Sequence, residues 1–191
     1  RFLQEQFRAA VRLKDNDRQD KLQMHLKDIF FAAHEGMFNL ERFPKLRTAD
    51  EFATSKLALR KAVDERREGF LRHQLKPIPT SLTQLERPHR EEAVQVFKCL
   101  LGYMGDASAG GGFSLTLVQE VLAKALQAGS ALQTEVYLQL MKQLTDNPSD
   151  RSLKLGWQML ALWLQSFPPD AMVEHFVEWF IKQNAKPSPA A

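Results

Sequence analysis

The sequence predicts an all-α fold, a compact multi-helix bundle of about seven or eight helices. Three observations predict it. Apolar residues recur at helical spacings nearly everywhere along the chain. No run of alternating apolar and polar residues between turns reads as a strand. The connections are short and rich in Pro, Gly or Asn, as at LKPIPTSL, AGS, NPSD and FPPD, which favours antiparallel neighbours.

Each element follows from local chemistry. Residues 1–14 read as a first helix with Phe2, Phe7 and Val11 as apolar points, ended by DNDRQD. A second helix is expected from about Lys21 to His34, with Leu22, Leu26, Ile29 and Phe30 on one face. MFNLERFPKL then reads as an irregular crossing. Thr48 and Glu51 have capping-box spacing, so a third helix starts there and is expected to reach Arg72. Phe52, Leu59, Val63 and Phe70 make its buried stripe. Pro77 and Pro79 exclude regular helix over the next stretch. Pro88 suits a first helical turn, with Glu91 and Glu92 near the positive end of the dipole. That helix carries Val94, Phe97, Leu100 and Leu101 and is expected to stop near Gly102. Ser114 is the next N-cap and Gly129 the C-cap. Ser130 or Ala131 opens a helix with Val136, Leu140 and Leu144, which Asn147-Pro148 stops. Ser149 or Asp150 caps a helix striped by Leu153, Trp157, Leu160 and Leu164. Pro168-Pro169 breaks it, and a last helix carries Val173, Phe176, Val177 and Phe180.

Composition bounds the rest. The 191 residues are 44% hydrophobic and 26% charged, which excludes a disordered chain. The expected organisation is an N-terminal helical extension or first domain part at 1–47, a helical domain at 48–185 and the start of a linker at 186–191. The start at Arg1 and the tail AKPSPAA are expected of a piece of a longer chain. The one cysteine, Cys99, excludes an intrachain disulfide and favours a reducing compartment. Its apolar neighbours make it a small buried hydrophobe. No transmembrane segment is expected, since no apolar run approaches about 18 residues. Residues 1–87 hold 18 Lys and Arg against 13 Asp and Glu, and residues 88–191 hold 8 against 10. The first part can therefore meet an acidic partner such as tubulin, an acidic peptide or anionic lipid, or simply be a solvated helical surface.

Catalytic and cofactor chemistry is not called for. Gly105 and Gly110 have the spacing of a phosphate loop, but Gly111 and Gly112 stand where its Lys and Ser or Thr belong. A helix, not a strand, precedes it. The stretch reads as a connector, disordered at 107–112. His25, His34, His73, His89 and His175 form no metal-ligand pattern and read as surface or half-buried helix residues. Glu91-Glu92 and Asp64-Glu65 are adjacent pairs, which diverge on a helix. Trp157, Trp163 and Trp179 read as core packing. Basic residues do not interleave with exposed aromatics, so no nucleic-acid partner is expected. No cofactor and no metal site are expected.

Four segments carry a family resemblance. PIPTSLTQL (77–85), AVQVFKCLLGYMGD (93–106), LQTEVYLQLMKQLTDNP (132–148) and GWQMLALWLQSFPP (156–169) resemble, in order, the segments of MyTH4 (myosin tail homology 4) domains. Gln133-Thr134 stands where that family usually has Arg-Asp, so an ion pair made by Arg-Asp would be missing. Glu135, Tyr137, Gln139, Lys142, Gln143, Asn147 and Pro148 match the signature. Its reading is mostly structural: Tyr137 and Leu140 pack, Asn147 and Pro148 end the helix, and Gln139 and Gln143 bond loop backbone.

The resemblance implies a non-catalytic interaction module, found in unconventional myosin tails, some kinesins and certain Rho GTPase-activating proteins, often followed by a FERM domain. The PIPTSL and YMGD segments look particularly like plant-type kinesins bearing MyTH4–FERM, with myosins left open. Implied partners are microtubules (tubulin) or a cargo peptide, with a FERM domain in cis, in the cytoplasm on the cytoskeleton. Any catalysis would lie in neighbouring domains. An adaptor for anionic lipid or acidic peptides is the alternative. Charge alone nominates the partner-binding residues. Lys56, Arg60 and Arg67 fall within about 40° on one side of their helix, and Arg72 and Lys76 extend the charge toward the proline segment.

Overall fold

The computed structural model describes residues 16–53, 60–106 and 115–184. It divides into two units, Arg1–Phe38 and Asn39–Ala191. Among the described residues there are eight α-helices and no strand beyond one isolated antiparallel bridge, Leu46 to Thr83. The expected helix at 1–14, the Ser114 cap and the disorder at 107–112 lie outside the described residues.

The first unit holds α1, Asn16–Ala33. It corrects the break assigned to DNDRQD, most of which is helical. Asp17 in the first turn favours the helix dipole and pairs with Lys21 one turn on, at 2.7 Å. Leu22, Leu26 and Phe30 are half-buried, but Ile29 is exposed and Phe31 is buried instead. The chain turns at Gly36, whose φ is 71°, and Phe38 comes back edge-on to Phe31.

The second unit starts with a short 3-10 turn, Leu40–Arg42, and continues into α2, Ala49–Ala53. The capping box forms: Thr48 N–H donates to Glu51 Oε2 (2.8 Å) and Glu51 N–H to Thr48 Oγ1 (3.1 Å). Next comes α3, Arg60–Glu68. It ends before the expected Arg72, because the chain turns at Gly69 and swings Phe70 inward onto Phe52, ring centroids 5.0 Å apart.

Helix α4, Arg87–Met104, has Pro88 in its first turn. It runs past Gly102 to a left-handed Gly105 (φ 76°), where Asp106 N–H reaches Leu101 O (2.9 Å) and Gly105 N–H reaches Gly102 O (3.3 Å). Gly102 is there for close packing: a Cβ would sit 2.9 Å from Leu117 Cδ1 of α5, Leu115–Ala128. Left-handed Gly129 separates α5 from α6, Ser130–Leu144. The last two helices are α7, Asp150–Ser166, and α8, Glu174–Asn184. Ser149 caps α7, its hydroxyl accepting from Ser152 N–H at 3.3 Å.

Helix α6 is the axis of the bundle. It packs on α4, α5, α7 and α8, and every residue from Thr134 to Leu144 is buried. The expected stripe of α7 needs correction. Leu153, Trp157 and Leu164 are only half-buried, while Ser152, Gly156, Met159, Leu160 and Trp163 face inward. The glycine decides this rotation. A Cβ at Gly156 would lie 2.7 Å from Leu144 Cδ2 and 2.8 Å from Met104 Cε, so only a bare backbone lets α7 approach α6 and α4. Trp157 then stacks on Phe180 at 5.9 Å. Gly156→Val is expected to destabilise the fold by about 2 kcal/mol through overpacking, read as a lower urea midpoint; an unchanged midpoint would contradict the close approach.

Candidate functional site

The polar residues of α6 recur at i, i+4, i+7 and i+8, so Glu135, Gln139, Lys142 and Gln143 share one face. All four are fully buried. Glu135, Lys142 and Gln143 each grip a segment between the helices, and Gln139 bonds α4. Glu135 accepts from Leu82 N–H (2.7 Å), Thr83 N–H (2.8 Å), Thr83 Oγ1–H (2.5 Å) and Gln139 Nε2 (2.9 Å). Burial pushes its carboxyl up, while these donors favour the ionised form. Gln139 also donates to Ala93 O at 3.0 Å. Gln143 bonds both backbone groups of Gln74 and donates to Asp106 at 2.9 Å. Lys142 Nζ donates to Gly69 O (2.9 Å) and Arg72 O, above the Phe97 ring. Burial pushes this amine down to about 7.

The structural reading of the signature therefore holds for Gln143, whose partner is loop backbone. Gln139 differs: its backbone partner is Ala93, within α4. Tyr137 packs and donates to Phe167 O at 2.7 Å. Asn147 bonds Gln143 O (3.1 Å) and Ser152 Oγ (2.8 Å), closing the turn after α6. At the departure from the family pattern, Thr134 Oγ1–H donates to Asp170 at 3.3 Å and Gln133 to Ala125 O at 3.2 Å. His73 is not a helix residue. It lies in the segment after α3, nearly buried, 3.2 Å from Asp106. Cys99 is buried, and burial first, then Glu120, pushes its thiol up to about 11, which suits a packed hydrophobe rather than a nucleophile. This polar spine does positioning, not chemistry. It fixes the 69–76 and 78–85 segments against α6.

The nominated basic residues are only partly brought together. Lys56 lies outside the described residues, and Arg60 opens α3 with its side chain outside them. Arg67 pairs with Asp50 (2.6 Å) and Asp64 (3.3 Å). Arg72 pairs with Asp146 (3.3 Å), and Lys76 approaches Glu65 (3.8 Å). All three are exposed, so these pairs are weak and a stronger anion can replace the acids. Sequence reasoning passed over a second basic group. Arg47, Arg90 and Lys98 line a groove of about 630 Å³ between the chain at 47–51, the 79–80 segment and α4. The eight-residue spacing of Arg90 and Lys98 on one helix face was a legible signal; nothing in the sequence ties Arg47 to them. Among the described residues, no helix is long and apolar enough to cross a membrane.

Comparison with known proteins places this geometry. Residues 118–190 match the model of the MyTH4 domain family. That span contains two of the four resembling segments, 132–148 and 156–169; the other two precede it. The chain is 39% identical over 186 residues to the high molecular weight form of myosin-1 of Acanthamoeba castellanii, covering 97% of this chain and 11% of that myosin. It is similar to the human Myosin 7b C-terminal MyTH4-FERM domain in complex with the harmonin-a PDZ3 domain, at 31% identity and a TM-score of 0.57, over 74% of this chain and 29% of that one. It is also similar to the Dictyostelium discoideum Myosin VII MyTH4-FERM MF1 domain (mutant 2), at 25% identity and a TM-score of 0.55, over 64% of this chain and 25% of that one. These three are myosins, whereas the PIPTSL and YMGD segments on their own suggested kinesins. With its signature helix buried as the axis of the same fold, the chain belongs to the MyTH4 family and carries a MyTH4 domain of the kind found in unconventional myosins.

Proposed function

We propose that the chain is a non-catalytic docking module of a motor-protein tail, working beside a FERM domain and holding an acidic protein partner, either tubulin in microtubules or a cargo peptide. The observation that carries this reading is the likeness to a MyTH4-FERM domain whose structure is a complex with another protein's PDZ domain. The basic balance of residues 1–87 favours an acidic partner. In this reading residues 48–185 are the docking domain, and Lys56, Arg60, Arg67, Arg72 and Lys76 form part of its contact surface. The acids paired with Arg67, Arg72 and Lys76 are exposed and exchangeable.

The test is co-sedimentation with microtubules of the chain joined to a FERM neighbour, at low and at high salt. Pelleting is expected at low salt and should weaken about tenfold or more near physiological ionic strength, since exposed charges are screened over about 8–10 Å there. Absence of pelleting at low salt sinks the tubulin version and leaves the cargo peptide. Recovery of no protein partner by the same chain would sink the docking reading itself.

A further inference from the structure

We propose that Arg47, Arg90 and Lys98 form a carboxylate-binding groove that takes an extended acidic segment of a partner protein, distinct from the Arg67, Arg72 and Lys76 surface. This rests on the docking reading above and assigns it a site.

The first argument is the missing counter-ions. None of the three cations has a carboxylate within ion-pair distance among the described residues, unlike Arg67, Arg72, Lys76 and Arg87. The two acids of the groove are already engaged. Glu51 accepts from Thr48 N–H at 2.8 Å, and Glu91 faces Arg87 at 3.4 Å. The second argument is Arg47 itself. Its Nε is shut off from solvent and has no hydrogen-bond partner. Burial first, and then the neighbouring Arg90, hold its guanidinium below the usual range, outweighing the opposite pull of Glu51 and Glu135. Two like charges side by side are costly, and an anion that enters the groove relieves the repulsion between Arg47 and Arg90.

The third argument is preorganisation. Arg90 is oriented by its Nη2–H bond to Leu85 O at 3.1 Å. Arg47 N–H is tied to Leu82 O at 2.8 Å, and Leu82 N–H is held in turn by Glu135. The wall at Thr80 belongs to the same pinned segment. Such a groove binds without ordering itself first.

Shape selects the ligand. The volume is several times that of one small anion and lies within the ordinary range of ligand clefts, about 300–1,000 Å³. Guanidinium groups match planar carboxylates in two-pronged fashion. Glu91, exposed in the lining, is drawn toward Arg87 at 3.4 Å, which leaves Arg47, Arg90 and Lys98 to face the ligand.

The test uses the full 191-residue chain and a fluorescein-labelled peptide of alternating glycine and glutamate, followed by anisotropy at low salt. The same peptide with glutamine, and inositol hexakisphosphate as competitor, are the other arms. The glutamate peptide is expected to bind and the glutamine peptide not. Arg47→Gln and Lys98→Gln should each weaken binding about tenfold, and Arg72→Gln should leave it unchanged. Lys98 is exposed, so its variant keeps the fold even if Arg47→Gln melts early. No binding of the glutamate peptide, equal binding of both peptides, or undiminished binding by Lys98→Gln overturns the proposal. Binding of the hexakisphosphate without the peptide overturns it in favour of a polyphosphate ligand. If the peptide fails while co-sedimentation succeeds, the groove falls and the docking reading stands; recovery of no protein partner at all removes the docking reading.

Discussion

Replacing Glu135 with alanine is expected to destabilise the fold by about 3–5 kcal/mol, a large loss for a domain of this size. The carboxylate is fully buried and accepts from four donors. Removing it leaves two backbone N–H groups, a hydroxyl and an amide without partners in a site closed to water, and each orphan costs about 1–3 kcal/mol before relaxation. Glu135→Gln keeps the shape and one acceptor oxygen but turns an NH2 group toward donors, so it should cost roughly half as much. Urea denaturation of both variants measures this. Amide exchange at Leu82 and Thr83 localises it, because their protection should fall first. A loss below about 1 kcal/mol for the alanine variant would show that the 78–85 segment is held by its apolar anchors alone. Those anchors are Ile78 and Leu82, both fully buried. The same substitution should loosen the wall of the Arg47 groove, so it also links the core to the docking surface.

The second large effect is a pH dependence carried by Lys142. Burial lowers its amine from 10.5 to about 7 in the folded chain. Between those values the unfolded chain binds a proton that the folded chain does not. Unfolding free energy therefore rises with pH across that window, by on the order of 1 kcal/mol per pH unit, and is flat in this contribution below about pH 7. The neutral amine keeps two N–H donors, which matches the two carbonyls it meets, Gly69 O and Arg72 O. Lys142→Met fills the same space without donors. It should cost about 2–4 kcal/mol near pH 9.5 and clearly less at pH 6, where the wild-type lysine bears a buried charge. Urea midpoints of both proteins at the two pH values test the sign. An unchanged slope in the methionine variant would place the titrating proton on another group.

Legibility followed locality. The capping box at Thr48 and Glu51, the first-turn Pro88, the left-handed Gly129 and the Ser149 cap were all readable, because each is decided within four residues of chain. The four resembling segments gave the family for the same reason: they are contiguous strings. Faces were harder. The α7 stripe was assigned from its large apolar residues, yet Gly156 set the rotation, because the nearest surfaces it meets are Leu144 and Met104 on two other helices. Glu135 and Lys142 matched the signature but received no role, since side chains of their type are rarely buried without partners and no partner was visible in the sequence. A polar stripe beside an apolar one ordinarily marks a solvent-facing side, so only the packing of four helices around α6 shows that this stripe is enclosed.

By itself the sequence determined an all-helical bundle, because periodicity, caps and turn residues act over a few residues and need no distant partner; the family came from the resemblance of four contiguous segments. Only the tertiary structure decided what those residues hold. Lys142 meets Gly69 and Arg72 some seventy positions away, and Arg47 meets the α4 face only once Glu135 has pinned the segment between them. Burial converts these ordinary charges into fixed contacts, and burial belongs to the packed fold rather than to any stretch of chain.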